Sequence, residues 1–115
     1  MSGHIAKVSH QVFFWLKNPD SAEDLEQLLT GIRSLSTIET VRGLHVGVPV
    51  ATQQPSAIDS DCSASVLLFF DSIEEQNTYQ THPLHEQFIA DHAHLWSRVA
   101  MFDAVSCAPE NEFGM

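Results

Sequence analysis

The sequence predicts an α+β fold in which two helical segments cover one face of a four-stranded antiparallel sheet. Segments 5–17, 39–51, 63–70 and 99–108 are rich in β-branched and aromatic residues, as strands are. Segments 20–35 and 71–97 carry the apolar spacing of helices. The order is therefore β-α-β-β-α-β, that of the ferredoxin-like fold. The 115 residues suit a single domain, with a core at about 4–107 and a tail at 109–115.

The first strand is predicted to be covered on both faces. Val8, Val12 and Phe14 fall on one parity, whereas Phe13 and Trp15 fall on the other. The same holds for 63–70, the best candidate for a central strand. Two helices cover only one face of such a sheet, and an exposed apolar face invites association. We therefore expect a homodimer in which two sheets pack face to face.

The first helix is predicted to begin at Asp20. Glu23, three residues later, completes a capping-box pattern. One apolar stripe follows with helical spacing and should face the sheet: Leu25, Leu28, Leu29, Ile32 and Leu35.

The second helical segment is predicted to be broken in two. Asp71 or Ser72 can cap its start, and a short helix should run to about Gln80. Pro83 breaks a helix interior but suits a first helical position, so a longer helix is expected from Pro83 to Ser97. In the second strand, Pro49 indicates a sheet edge or a strand end.

Composition argues against several classes of partner. The formal net charge of −10 repels phosphate backbones and anionic lipids, so neither nucleic acid nor a membrane surface is an expected partner. No apolar run reaches the ~18 residues of a membrane helix. The N-terminus lacks a signal-peptide pattern, which favours the cytoplasm. Cys62 and Cys107 are then expected to be free thiols.

The histidines between residues 82 and 94 are the main candidates for function. His85, Phe88 and His92 share one helical stripe that should face the sheet, whereas His82 lies at the break and His94 should be solvated. Three interpretations stay open: histidines satisfied within the core, a small pocket with acid/base or ligand-orienting histidines, and a metal site.

A metal or cofactor is not expected. An HExxH pattern is absent, and ~10 Å of helix rise separates His85 from His92, too far for both to bind one ion. The sequence also lacks phosphate-loop and dinucleotide motifs. Tyr79, across the break, could point into the same cavity as His85. His10 in the first strand looks towards His85 if its parity faces the helices.

The chain resembles the stress-responsive α/β-barrel (Dabb) domain family over about residues 4–107. The resemblance rests on VSHQVFFWLK, on GLHVGVP and on a YxxHPxHxxF stretch formed by Tyr79, His82, Pro83, His85 and Phe88. It implies a ferredoxin-like dimer, a dimeric α/β barrel. It also implies a pocket between sheet and helices.

In one polyketide cyclase of that family, a tyrosine and a histidine act in this pocket. Those positions match Tyr79 and His85, and a first-strand histidine matches His10, whereas a further pocket histidine falls on Ala64 here. We therefore expect a stress-responsive dimeric protein that binds a small apolar or aromatic ligand, with His82, Phe88 and His92 among its ligand contacts. The alternative is a cofactor-free enzyme, cyclase-like or monooxygenase-like, with His85, Tyr79 and His10 as catalytic residues.

Overall fold

The strands of the computed structural model form one antiparallel sheet in the order β2-β3-β1-β4. The structure describes residues 7–50 and 61–107. The predicted tail at 109–115 and the predicted strand ends at residues 51 and 108 lie outside these ranges. Within them the strands are β1 (Val8–Leu16), β2 (Gly43–Gly47), β3 (Ala64–Phe70) and β4 (Trp96–Val105). The ferredoxin-like prediction is confirmed, with β3 central and β2 at an edge.

The sheet's inner face packs on the helices because β1 and β3 alternate strictly. Every second residue of each strand is buried, from Val8 to Leu16 and from Ala64 to Phe70. The register places Val12 opposite Val66 on β3 and opposite Met101 on β4, so these positions share the helix-facing side. Burial of the inner side chains supplies the main stabilisation of the domain.

Helix α1 (Ala22–Ser34) covers this face through Leu28 and Ile32, both fully buried. Its N-cap is Ser21, whose hydroxyl accepts a hydrogen bond from the Asp24 amide at 3.1 Å. The prediction of an Asp20 cap paired with Glu23 is wrong by one residue. Ser21 has the extended backbone of a cap and an oxygen placed for the third amide of the helix.

The second helical segment is broken as predicted, into α2 (Ile73–Gln80) and α3 (Pro83–His92). Ser72 caps α2, and Pro83 occupies the first turn of α3. The expected helix end at Ser97 is wrong, because Trp96 is already extended and pairs with Leu16 of β1.

The strand ends also differ from the predicted ones. β4 begins at Trp96 rather than at 99, because pairing with β1 claims the residues assigned to the helix end. β2 spans Gly43–Gly47 rather than 39–51, since its register with β3 ends at Ser65 and Pro49 lacks the amide that a ladder needs.

The outer face of the sheet carries no helix in the described ranges. Its partly buried or exposed side chains include large apolar groups: Phe13, Trp15, Leu67, Phe69 and Phe102. Phe13 and Phe102 meet edge to face at 5.9 Å, and the Arg98 guanidinium lies 4.1 Å from the Trp15 ring. A helix long and apolar enough to cross a membrane does not occur among the described residues.

Candidate functional site

A cavity of about 150 Å³ lies between the inner face of the sheet and helices α2 and α3. Its walls are mostly aromatic and aliphatic, and three of its lining residues carry a titratable ring group: His10, Tyr79 and His85. All three were predicted from the sequence as candidate site residues, as was Phe88, which also lines the cavity. His10 lies far from Tyr79 and His85 in the chain. The sheet and the turn between α2 and α3 bring them together in the fold.

Tyr79 is placed in the cavity by the last turn of α2. The start of that helix is tied to β2, because Arg42 contacts Glu75 at 2.8 Å and Asp71 at 2.9 Å. The Tyr79 ring packs on Phe70 at 5.1 Å. Only 2% of the residue is exposed, and burial raises the pKa of its phenol. Tyr79 is therefore a neutral hydrogen-bond donor at physiological pH.

His85 lies against Tyr79, with ring centroids 4.7 Å apart. It sits in the first turn of α3, directly after the break at Pro83. Desolvation lowers the pKa of His85, and the charge that His10 can carry lowers it further. The backbone of Gln80 and the carboxylate of Glu86 oppose this shift. The imidazole is thus neutral near pH 7 and available as a base.

His10 is held by an acidic partner that was not predicted from the sequence as a site residue. Its Nδ1 donates to the carboxylate of Asp103, which stands opposite His10 in the β1–β4 register. The Gln76 amide nitrogen lies 3.3 Å from the same atom. His10 is 2% exposed, whereas the Asp103 side chain is 56% exposed. This arrangement leaves Nε2 of the neutral ring as a proton acceptor.

One signal in the sequence could have identified Asp103. In β4 the inward parity holds Val99, Met101, Asp103 and Val105, so a single carboxylate interrupts an apolar series. The register that joins it to His10 spans 93 residues of sequence and becomes visible only in the folded sheet.

His82 lies outside the lining of the cavity and caps α3 instead. Its Nδ1 accepts a hydrogen bond from the Leu84 amide at 3.1 Å. Its Nε2 then carries the proton and lies 3.4 Å from the Glu39 carboxylate. The structure therefore gives His82 a capping contact rather than a place among the cavity residues.

His92 also lies outside the lining, between α3 and α1. Its Nδ1 donates to the Phe88 carbonyl at 2.9 Å, and its ring stacks on Phe88 with centroids 5.0 Å apart. The other edge of the ring abuts Gly31, where a Cβ would lie 2.5 Å from Nε2. His92 is thus a helix-packing residue in this structure. His94 is exposed, as predicted.

The cavity brings together the kinds of side chain that proton-transfer chemistry uses. A neutral imidazole can accept a proton from a carbon next to a carbonyl, and a phenol can donate to the resulting oxyanion. Within residues 7–50 and 61–107, no three His, Cys, Asp or Glu side chains gather as metal ligands would.

The fold and this cavity define a ferredoxin-like α+β domain with a small, polar-ended pocket between sheet and helices. The chain belongs to the stress responsive A/B barrel domain (Dabb) family, whose model matches residues 8–106. No curated protein is significantly similar to it in sequence.

Several solved structures share the fold. A Dabb family protein from Mesorhizobium loti has a TM-score of 0.74 at 20% identity, covering 90% of this chain and 100% of its own. A dimeric ferredoxin-like protein of unknown function from Thermobifida fusca has a TM-score of 0.73 at 15% identity, covering 92% and 99%. The hydroxynitrile lyase from Passiflora edulis has a TM-score of 0.75 at 14% identity, covering 90% and 96%.

Proposed function

We propose that this protein is a homodimer that binds a small apolar or aromatic ligand in the cavity between its sheet and its helices. The observation that carries the proposal is the cavity itself, which combines apolar walls with converging polar side chains, the usual make-up of a small-molecule site. His10, Tyr79 and His85 supply hydrogen-bonding groups, and Phe88 supplies a ring face.

The proposal of a homodimer is based on the outer face of the sheet. Large apolar side chains there have no covering element within the described ranges, and packing a second copy on them would remove that surface from water. The Thermobifida fusca relative of the same fold is described as dimeric, which supports this reading.

Ligand-observed NMR with a panel of neutral aromatic compounds tests the binding proposal. Tyr79→Phe keeps the ring packing and removes one buried hydroxyl, so a ligand that accepts its hydrogen bond should bind about tenfold more weakly. The matched control is His94→Ala, which removes an exposed histidine outside the cavity lining and should leave affinity unchanged. Equal effects of the two substitutions would contradict the proposed site.

A cofactor-free enzyme is the second candidate, favoured by the contact between Tyr79 and His85 and by the His10–Asp103 pair. His85 would remove a proton next to a carbonyl, Tyr79 would stabilise the oxyanion, and Asp103 would keep His10 in one tautomer. The hydroxynitrile lyase of the same fold indicates that this architecture can hold a catalytic site.

Deuterium exchange separates the two candidates. If the cavity catalyses proton abstraction, the methyl hydrogens of an aryl methyl ketone in D₂O should exchange faster with the wild type than with His85→Ala at equal dimer content. Binding of the ketone without accelerated exchange would favour the non-catalytic ligand-binding protein.

A further inference from the structure

We infer that the cavity takes a neutral, single-ring aromatic ligand, or one of similar size, that enters between Ile89 and Met101 with its hydrogen-bonding group first. This inference deepens the proposed function and rests on it. It follows from the volume of the cavity, the charges around it and the exposure of the residues along it.

Volume sets the upper size of the ligand. A cavity of about 150 Å³ holds a benzene-sized molecule. Its aromatic wall cannot retract freely, because Phe14, Phe88 and Trp96 pack on one another with centroid distances of 5.1–6.5 Å. Moving one of these rings to admit a second fused ring would disturb a packed core.

Charge excludes an anionic ligand. The residues that line the cavity include neither lysine nor arginine. Asp103 is already paired with His10 and adds negative potential at that end. A buried carboxylate would therefore find no permanently charged lysine or arginine partner to compensate for its lost hydration. A neutral carbonyl or hydroxyl can instead accept a hydrogen bond from Tyr79.

Exposure along the cavity fixes the direction of entry. His10 and Tyr79 are each 2% exposed, whereas Ile89 is 39% and Met101 59% exposed. Two of the hydrogen-bonding groups, on His10 and Tyr79, are thus buried, whereas the half-buried His85 and the exposed apolar side chains of Ile89 and Met101 lie nearer the solvent. Met101 stands opposite Val12 and so projects on the helix side of the sheet. A dimer formed through the outer face leaves this mouth open.

Three probes test the ligand class on the full-length dimer by NMR titration: acetophenone, benzoate and 2-acetylnaphthalene. Acetophenone is neutral and has one ring, benzoate replaces its acetyl group by a carboxylate, and acetylnaphthalene adds a fused ring. Acetophenone should bind saturably, and each of the others should bind at least about tenfold more weakly.

Two variants test the entry route. Met101→Trp places a bulky side chain at the mouth and should weaken acetophenone binding at least about tenfold. Ile73→Trp is the matched control, because Ile73 is equally exposed at 59% and is not among the cavity residues. It should leave binding unchanged.

The outcomes separate the inference from the proposed function. Equal binding of benzoate or acetylnaphthalene, still blocked by Met101→Trp, would overturn the ligand class and leave the cavity as the site. If Met101→Trp leaves the affinity for acetophenone unchanged, or if none of the probes binds, both the inference and the proposed site are contradicted.

Discussion

Replacing Gly31 by alanine should destabilise the protein, although alanine is the better helix former. The added Cβ would lie 2.5 Å from Nε2 and 2.6 Å from Cε1 of His92, distances at which the ring must move. The ring is not free to move without loss, because it donates to the Phe88 carbonyl and stacks on the Phe88 ring. The effect of Gly31→Ala therefore shows whether His92 stabilises the packing of α3 on α1.

The magnitude follows from three contributions. Alanine in place of glycine in a helix interior stabilises by ~1 kcal/mol. Displacing the His92 ring loses a hydrogen bond of ~1 kcal/mol and a ring stack of roughly the same size. The expected net loss for Gly31→Ala is therefore about 1 kcal/mol in the free energy of unfolding.

A double-mutant cycle isolates the cause. In a His92→Ala background the obstacle is absent, so Gly31→Ala should stabilise by up to ~1 kcal/mol, and the coupling energy should be about 2 kcal/mol. Urea denaturation of the four proteins at one protein concentration measures these differences. If Gly31→Ala has the same effect with and without His92, the packing argument is refuted.

Three further predictions concern the cavity and the outer face. The pKa of His85 is lowered below the ordinary 6.5, so on acidification the unfolded chain binds this proton before the folded protein does. The free energy of unfolding should therefore fall as the pH drops below about 6.5, and it should fall less in His85→Ala. Urea denaturation at pH 7.5 and at pH 5.5 measures both changes. Asp103→Ala removes the oxygen that accepts the Nδ1 proton of His10, so ¹⁵N NMR should show a mixed tautomer, and an unchanged tautomer would argue against the pair. Leu67→Glu places a charge on the outer face and should convert the dimer to a monomer in light scattering, whereas Leu84→Glu on the helix layer should not.

Local pattern was enough to predict the helices and strands and their order. Large apolar residues on both parities of β1 and β3 predicted strands covered on both faces, and both strands are central in the sheet. Pro83 indicated the helix break because proline lacks an amide and fits a first turn, and the break lies there. These features follow from the chemistry of one residue or its near neighbours.

Element ends could not be predicted as well, because they depend on competition between local and distant partners. Residues 93–97 follow directly on a helix. Ala93–Leu95 nevertheless form a 3₁₀ turn, and the strand begins at Trp96 because this residue pairs with Leu16. At the start of α1, two adjacent residues can cap a helix, and the hydroxyl of Ser21 rather than the carboxylate of Asp20 reaches the Asp24 amide.

The roles of the histidines depended most on tertiary structure. The sequence by itself placed His85 and His92 on one stripe and gave His10 the same parity as Val8 and Val12 in the first strand. The fold then set His85 at the cavity and His92 against Gly31, and it paired His10 with Asp103. A helical period fixes the direction of a side chain only relative to its own helix. What that side chain meets is decided by strand register and helix packing between residues far apart in the chain.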